Sequence, residues 1–186
     1  RRDALRFDAC RAVTVRASTF AYTGAWGVTV QGGADCRVEG CDLTDLGEGG
    51  VRLAGGDWAT RTPARHVANN HISHVGEVIP SYRPGVSLSG VGNRCTHNLI
   101  HHTRHQAVWF NGNDHVIGFN VIHDTCLYND DAGAIYCCQR DFTKRGTVIA
   151  FNLVHATGKR PYPTNVHGIY LDDWSSGTIV CGNILN

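Results

Sequence analysis

The sequence predicts an all-β fold: one right-handed parallel β-helix, a solenoid of about seven coils over residues 1–186. Two recurring motifs and one absence predict it. A short strand motif recurs as Gly27-Val28-Thr29-Val30, Gly50-Val51-Arg52-Leu53, Gly85-Val86-Ser87-Leu88, Ala107-Val108-Trp109-Phe110, Gly133-Ala134-Ile135-Tyr136 and Gly168-Ile169-Tyr170-Leu171. A second motif follows each copy: Cys41-Asp42-Leu43, Asn70-His71-Ile72, Asn98-Leu99-Ile100, Asn120-Val121-Ile122, Asn152-Leu153-Val154 and Asn183-Ile184-Leu185. Amphipathic helical segments are missing between them, which argues against a doubly wound α/β fold. Leu is too sparse for a leucine-rich horseshoe.

Each element follows from the repeat. Alternate strand side chains point inward, so one coil offers a few apolar residues that it cannot bury alone. Stacked coils bury them and pair each strand with its copies. An Asn at the same turn of every coil can hydrogen-bond the Asn of the next. Gly before the strand allows a tight corner. The spacing runs from 22 residues (Gly85 to Ala107) to 35 (Gly50 to Gly85), so extra length is loop on one face. The long units, Gly56 to Pro84 and Asp141 to His167, carry the loops Trp58 to Pro63, Glu77 to Pro84 and Gly158 to Thr164.

Composition removes several function classes. A net charge of +1 steers the chain toward neither nucleic acid nor an acidic membrane surface. No apolar run is long enough to span a bilayer. No N-terminal stretch reads as a signal peptide, and Met is absent, so we read the chain as a piece of a longer β-helix. Eight Cys without a C-x-x-C pair read as small buried residues rather than as disulfides or a zinc site.

Solenoids place function in a groove lined by stacked strands. The informative motifs lie between residues 105 and 175. Asn129-Asp130-Asp131-Ala132-Gly133 feeds the sixth strand, and Leu171-Asp172-Asp173-Trp174 leaves the seventh. Superposing the motifs sets Asp172 over Cys137, Asn111 and Ser89, with Asp131 entering from the neighbouring coil. Coils stack about 4.8 Å apart, so Asp131, Asp172 and Asp173 form the candidate catalytic set. Glycosidic cleavage requires one carboxylic acid to protonate the leaving oxygen and one carboxylate to attack the sugar or activate water. A lone Asp pair more often sits in a turn or holds a structural calcium. Two pairs converging on one groove favour chemistry.

Substrate-binding candidates surround them. Trp109, Tyr170 and Trp174 offer ring faces to sugars. By alternation Trp109 and Tyr170 share one face, and Phe110, Tyr136 and Leu171 the other. Arg140 and Asp141 follow the sixth strand; the Arg can clamp a carboxylate or hydroxyl pair, or the two can be a surface ion pair. His105 can orient substrate or relay protons, and Asn111 leaves the fifth strand toward the same groove. His101, His123 and His155 each lie three residues after an Asn of the repeat and read as a stacked row rather than a metal column. No metal or cofactor is expected apart from a structural calcium.

The run from Gly92-Asn93-Arg94 through Asn98-Leu99-Ile100-His101, Gly112-Asn113-Asp114-His115, Asp131-Ala132-Gly133-Ala134-Ile135-Tyr136 and Ile169-Tyr170-Leu171-Asp172-Asp173 resembles bacterial β-helix carbohydrate-active enzymes. It is most similar to the group that includes glycoside hydrolase family 141, with fucosidase and xylanase members. The resemblance covers residues 85–186. It implies two Asp residues as acid/base and nucleophile, falling on Asp131 and Asp172 with Asp173 beside them. The chain departs at Cys137-Cys138-Gln139, where that group has a small residue and Gly. The resemblance further implies an oligo- or polysaccharide substrate, and from the substrate class a secreted or periplasmic location. A polysaccharide lyase acting on uronate-containing glycans is the competing reading. It requires a base; Lys144 and Lys159 lie in loops, leaving Arg140. A non-catalytic carbohydrate-binding β-helix is the third.

Overall fold

Val, Ile and Thr suit a pleated, half-buried surface, and they fall where the chain repeats. The computed structural model describes residues 2–158 and 165–186 and is a right-handed parallel β-helix, with no helix among the described residues. Seven parallel strands stack into one sheet: Leu5–Asp8, Val28–Gln31, Val51–Gly55, Val86–Val91, Val108–Asn113, Ala132–Cys138 and Val166–Asp172. The other twelve strands form a second sheet that covers the remaining two sides. Its long members, Arg37–Leu46 and Val67–Val75, run through the bend between those sides. In later coils the same path divides, as in Arg94–Thr96 followed by Leu99–Thr103.

Register makes the core continuous. Val28, Val51, Val86, Val108 and Ile135 pair in one inward column, and all are fully buried. Val30, Leu53, Leu88 and Phe110 make the next. Val38, Ala68, Cys95, Ile117 and Ile149 line the second sheet. Each fully buried Val, Leu or Ile contributes about 1.5–3 kcal/mol relative to exposure. All eight Cys are free, and Cys36, Cys41, Cys95, Cys126 and Cys137 are buried fillers, as the composition implied.

The Asn ladder forms as expected. Asn120 Oδ1 accepts from Asn98 N and Nδ2 at 2.9 and 2.8 Å, and Asn152 Oδ1 accepts from Asn120 N and Nδ2 at 3.1 and 2.8 Å. Asn70 and Asn183 extend the column. It ends at Cys41, whose N–H donates to Asn70 Oδ1 at 3.1 Å. A second ladder, not anticipated, runs inside another corner. Cys36 N donates to His66 Nδ1, His66 N to Asn93 Oδ1, Asn93 N to His115 Nδ1 and His115 N to Thr147 Oγ1, over 3.1–3.3 Å. Imidazole, carboxamide and hydroxyl substitute for one another there, because each presents one acceptor to the coil beneath.

Two expectations need correction. Gly50 precedes its strand because of crowding, not because of its φ: an added Cβ would lie 2.5 Å from the Gly85 carbonyl oxygen. The left-handed glycines sit at the strand exit instead, where Gly90 has φ +91° and a Cβ would meet Gly55 O at 2.1 Å. The sixth coil is also displaced by one residue from the motif alignment. Ile135, not Ala134, pairs with Val108, so Tyr136 points outward with Trp109 and Tyr170, and Asp172 pairs with Cys138 rather than Cys137.

Candidate functional site

The outward positions of the seven-stranded sheet form two rows. One runs Arg6, Thr29, Arg52, Ser87, Trp109, Tyr136, Tyr170. The other runs Asp8, Gln31, Ala54, Ser89, Asn111 and resumes with Cys138 and Asp172. Over these rows lies a cleft of about 820 Å³, with Asp131, Asp172, Asp173, Arg140, Trp109 and Tyr136 among its lining residues. Tyr82 and Pro84, from the long loop of the third coil, also line it.

Asp172 leaves the last strand of this sheet with both oxygens engaged. Its Oδ2 accepts from Tyr136 OH at 2.8 Å, and its Oδ1 from the Asp173 N–H at 2.8 Å. Burial, together with the carboxylate it bonds, holds the Tyr136 phenol far above its usual range, so Tyr136 stays a donor. Asp131 sits at φ +50° before the preceding strand. Its Oδ1 accepts from Asn165 Nδ2 at 3.0 Å and faces Tyr170 OH at 3.4 Å. Burial raises the Tyr170 phenol, and the charges of Asp172 and Asp131 raise it further. Tyr170 therefore stands between the two carboxylates, and its ring meets Tyr136 edge to face at 5.5 Å.

Asp173 plays a different part. Arg140 Nε donates to its Oδ2 at 2.7 Å and Arg140 Nη2 donates to the same oxygen, which holds the carboxyl below its usual range. This exposed ion pair consumes both charges. Cys138 Sγ lies 3.4 Å from the same oxygen. Cys138, Asp172 and Asp173 place one ligand atom each within 4.8 Å of one another. Two carboxylates and a thiol do not make the cage of six to eight oxygens that calcium prefers, and an ion here would have to displace Arg140.

The remaining candidates divide. Trp109 lines the cleft. His105 does not: its ring is buried, with Nδ1 accepting from Tyr82 N at 2.9 Å, and burial pushes it down to about 4. It supports the loop carrying Tyr82 rather than touching the cleft. Asn111 is occupied by the buried Lys144, whose ammonium donates to its Oδ1 and, at 3.3 Å, to Gln139 O. Asp141 closes a turn on Thr143, accepting from its N and Oγ1 at 2.9 and 2.7 Å. Trp174 is 67% exposed and stacks on Phe142 at 6.1 Å, beside the cleft rather than in it. Lys159 lies outside the described residues, as does most of the Gly158 to Thr164 loop. The departure at Cys137-Cys138-Gln139 is absorbed: Cys137 enters the core, and Gln139 is buried with Oε1 accepting from Gly112 N at 3.4 Å.

The sequence reading missed Tyr136, Cys138 and Arg52. The signal for Tyr136 was the repeated Ile-Tyr at 135–136 and 169–170. Arg52 stacks on Trp26, 4.1 Å from its ring, half-buried in the cleft. Among the described residues it has no carboxylate within ion-pair distance. Burial lowers its guanidinium, with Arg83 and Arg6 adding to the effect and Asp3 and Glu48 opposing it.

No curated protein and no solved structure matches this chain. A family model described as "Right handed beta helix region" matches residues 3–185. That match runs almost end to end, and the chain belongs to the right-handed β-helix family.

Proposed function

We propose that this β-helix is a glycoside hydrolase that cleaves a plant or microbial polysaccharide with Asp131 and Asp172. The family includes carbohydrate-active enzymes. One observation carries the reading: two carboxylates on successive coils flank the Tyr170 hydroxyl in a cleft lined by aromatic side chains. One of Asp131 and Asp172 serves as the ionised partner that attacks the sugar or activates water, and the other delivers the proton to the leaving oxygen. Trp109 offers a ring face for sugars. Arg52 lies three coils before Tyr170's neighbour Tyr136, about 14 Å along the axis at ~4.8 Å per coil. There it suits an acidic substituent some sugars away from the scissile bond.

Among the described residues, the bases weighed for the lyase reading are engaged elsewhere: Arg140 donates to Asp173 and Lys144 to Asn111. The test is incubation with a panel of neutral and uronate-containing glycans, following both reducing ends and the ultraviolet absorbance of a new double bond. Hydrolysis gives reducing ends without that absorbance. Asp131→Asn and Asp172→Asn each abolish it while the circular dichroism stays that of a β-helix. Activity persisting in both variants would falsify the assignment, and new absorbance would favour elimination.

A further inference from the structure

The second sheet carries six imidazoles on its outer surface, away from the cleft: His71, His74, His101, His102, His123 and His155. His101, His123 and His155 are in register, with rings stacked at 4.9 and 5.0 Å. His71 reaches across from the neighbouring row, and its Nε2 lies 2.9 Å from His101 Nε2. Its other nitrogen, Nδ1, lies 3.0 Å from Asp42 Oδ1. An ionised carboxylate only accepts, so His71 carries its proton on Nδ1 and turns the Nε2 lone pair toward His101.

Two imidazole nitrogens thus lie 2.9 Å apart at the surface, with a carboxylate orienting the first from behind. Carboxylate, histidine and metal take up this arrangement where an ion is bound. In a tetrahedral site with metal–nitrogen bonds of about 2.0–2.1 Å, two ligand nitrogens stand ~3.3 Å apart. The observed pair must open by a few tenths of an ångström, and both rings are accessible to solvent. We propose that His71 Nε2 and His101 Nε2 are ligands of a site for a borderline transition-metal dication, with Asp42 positioning His71 and water completing the sphere. Imidazole nitrogens suit copper, nickel and zinc, whereas calcium and magnesium want oxygens.

The proton balance closes within the cluster. Without an ion, His101 Nε2–H donates to His71. His101 Nδ1 lies 2.7 Å from His102 Nδ1, from which it then accepts. When an ion takes the His101 Nε2 lone pair, that ring carries its proton on Nδ1 and donates to His102. His102, which is exposed, shifts its own proton to the solvent-facing Nε2. No net proton is released and no buried charge is created.

The test uses the untagged chain in metal-free buffer at neutral pH, titrated with Cu2+ by calorimetry and followed by electron paramagnetic resonance. Cu2+ is the tightest first-row dication for such a site. The expected result is saturable uptake of one equivalent with hyperfine splitting from two imidazole nitrogens. His71→Ala, His71→Gln and His101→Ala each remove that signal while keeping the circular dichroism of the parent. Asp42→Asn keeps the two-nitrogen signal and weakens binding roughly 10- to 100-fold. His155→Ala, at the far end of the stack, leaves both unchanged. Absence of saturable uptake overturns the proposal. So does uptake that survives loss of His71 and His101, because other imidazoles then hold the ion. The site lies on a different sheet from the cleft, so neither result depends on glycan cleavage.

Discussion

Tyr136 donates to Asp172 from a position one residue away from where the repeat alignment sets it. The interaction is a hydrogen bond to a charged acceptor, of a kind that contributes about 1.5–3 kcal/mol. Tyr136→Phe removes the hydroxyl and keeps the ring. Under the proposed mechanism it lowers kcat by about 10- to 100-fold, since ~1.4 kcal/mol is one factor of ten, with KM little changed and Tm lowered by a few degrees. Steady-state kinetics on the responsive glycan and a melting curve check it; an unchanged kcat removes Tyr136 from the site. Among single residues, the meeting of Asp131 and Asp172 on one cleft was legible because the two Asp pairs flank strands of successive coils. Tyr136 was hidden by Gly133-Ala134, where Gly133 was matched to the corner glycine although Ala134 takes that place, which slid the alignment. Asp141 and Trp174 were over-read: adjacency in sequence put them near the groove, but side-chain direction turned one into a turn on Thr143 and the other onto Phe142.

The Asn column converts the stacking of coils into a satisfied interior, and its members are not equivalent. Asn120 Nδ2 donates to Cys95 O and Asn152 Oδ1, while its Oδ1 receives both donors of Asn98. Asn120→Ala strands several buried groups at about 1–3 kcal/mol each. Tm is expected to fall by roughly 10 °C or more at ~2–4 °C per kcal/mol for a chain of this size. Cys41→Ala, where the ladder stops and only the backbone N–H takes part, lowers it by less than half as much. Equal drops in two calorimetric scans would contradict the column as described. This ladder was readable because one residue type recurs at one place. The ladder through His66, Asn93, His115 and Thr147 was not, because three residue types share the job and only the stacked backbone reveals the equivalence. Strand order and core columns were likewise readable from alternation. The bend that fuses two rows into one sheet was not, since no residue marks where Arg37–Leu46 stays unbroken.

Across the whole molecule, several imidazoles are kept neutral by the solenoid. Burial pushes His105 and His115 down to about 4, and lowers His66 as well. In the unfolded chain a His takes its proton near pH 6.5. The folded-state values are depressed, so the unfolded state binds more protons between about pH 6.5 and 4, and stability drains away as pH falls through that window. The fully buried His115 alone accounts for a loss on the order of 3 kcal/mol at ~1.4 kcal/mol per pH unit. Urea midpoints measured at pH 7 and pH 4.5 are expected to drop on acidification, and His115→Asn, which imitates Asn93 in the same ladder, flattens the drop. A midpoint independent of pH in both proteins contradicts this account. The effect could not be read from sequence, which does not show that the His115 ring turns into a corner of the coil.

The unbroken register of the seven-stranded sheet has a consequence for how such a chain can change. The shortest unit, 22 residues from Gly85 to Ala107, begins and ends on the same strand position and buries the same two columns as its neighbours. Duplicating it inserts one more rung, about 4.8 Å tall, between Arg52 and the Tyr136–Asp172 end. Under the proposed function, the Arg52 subsite moves one rung further from the Asp131–Asp172 pair, and neither is altered. A tandem duplication would thus reset the distance between a recognised acidic substituent and the bond that is cut.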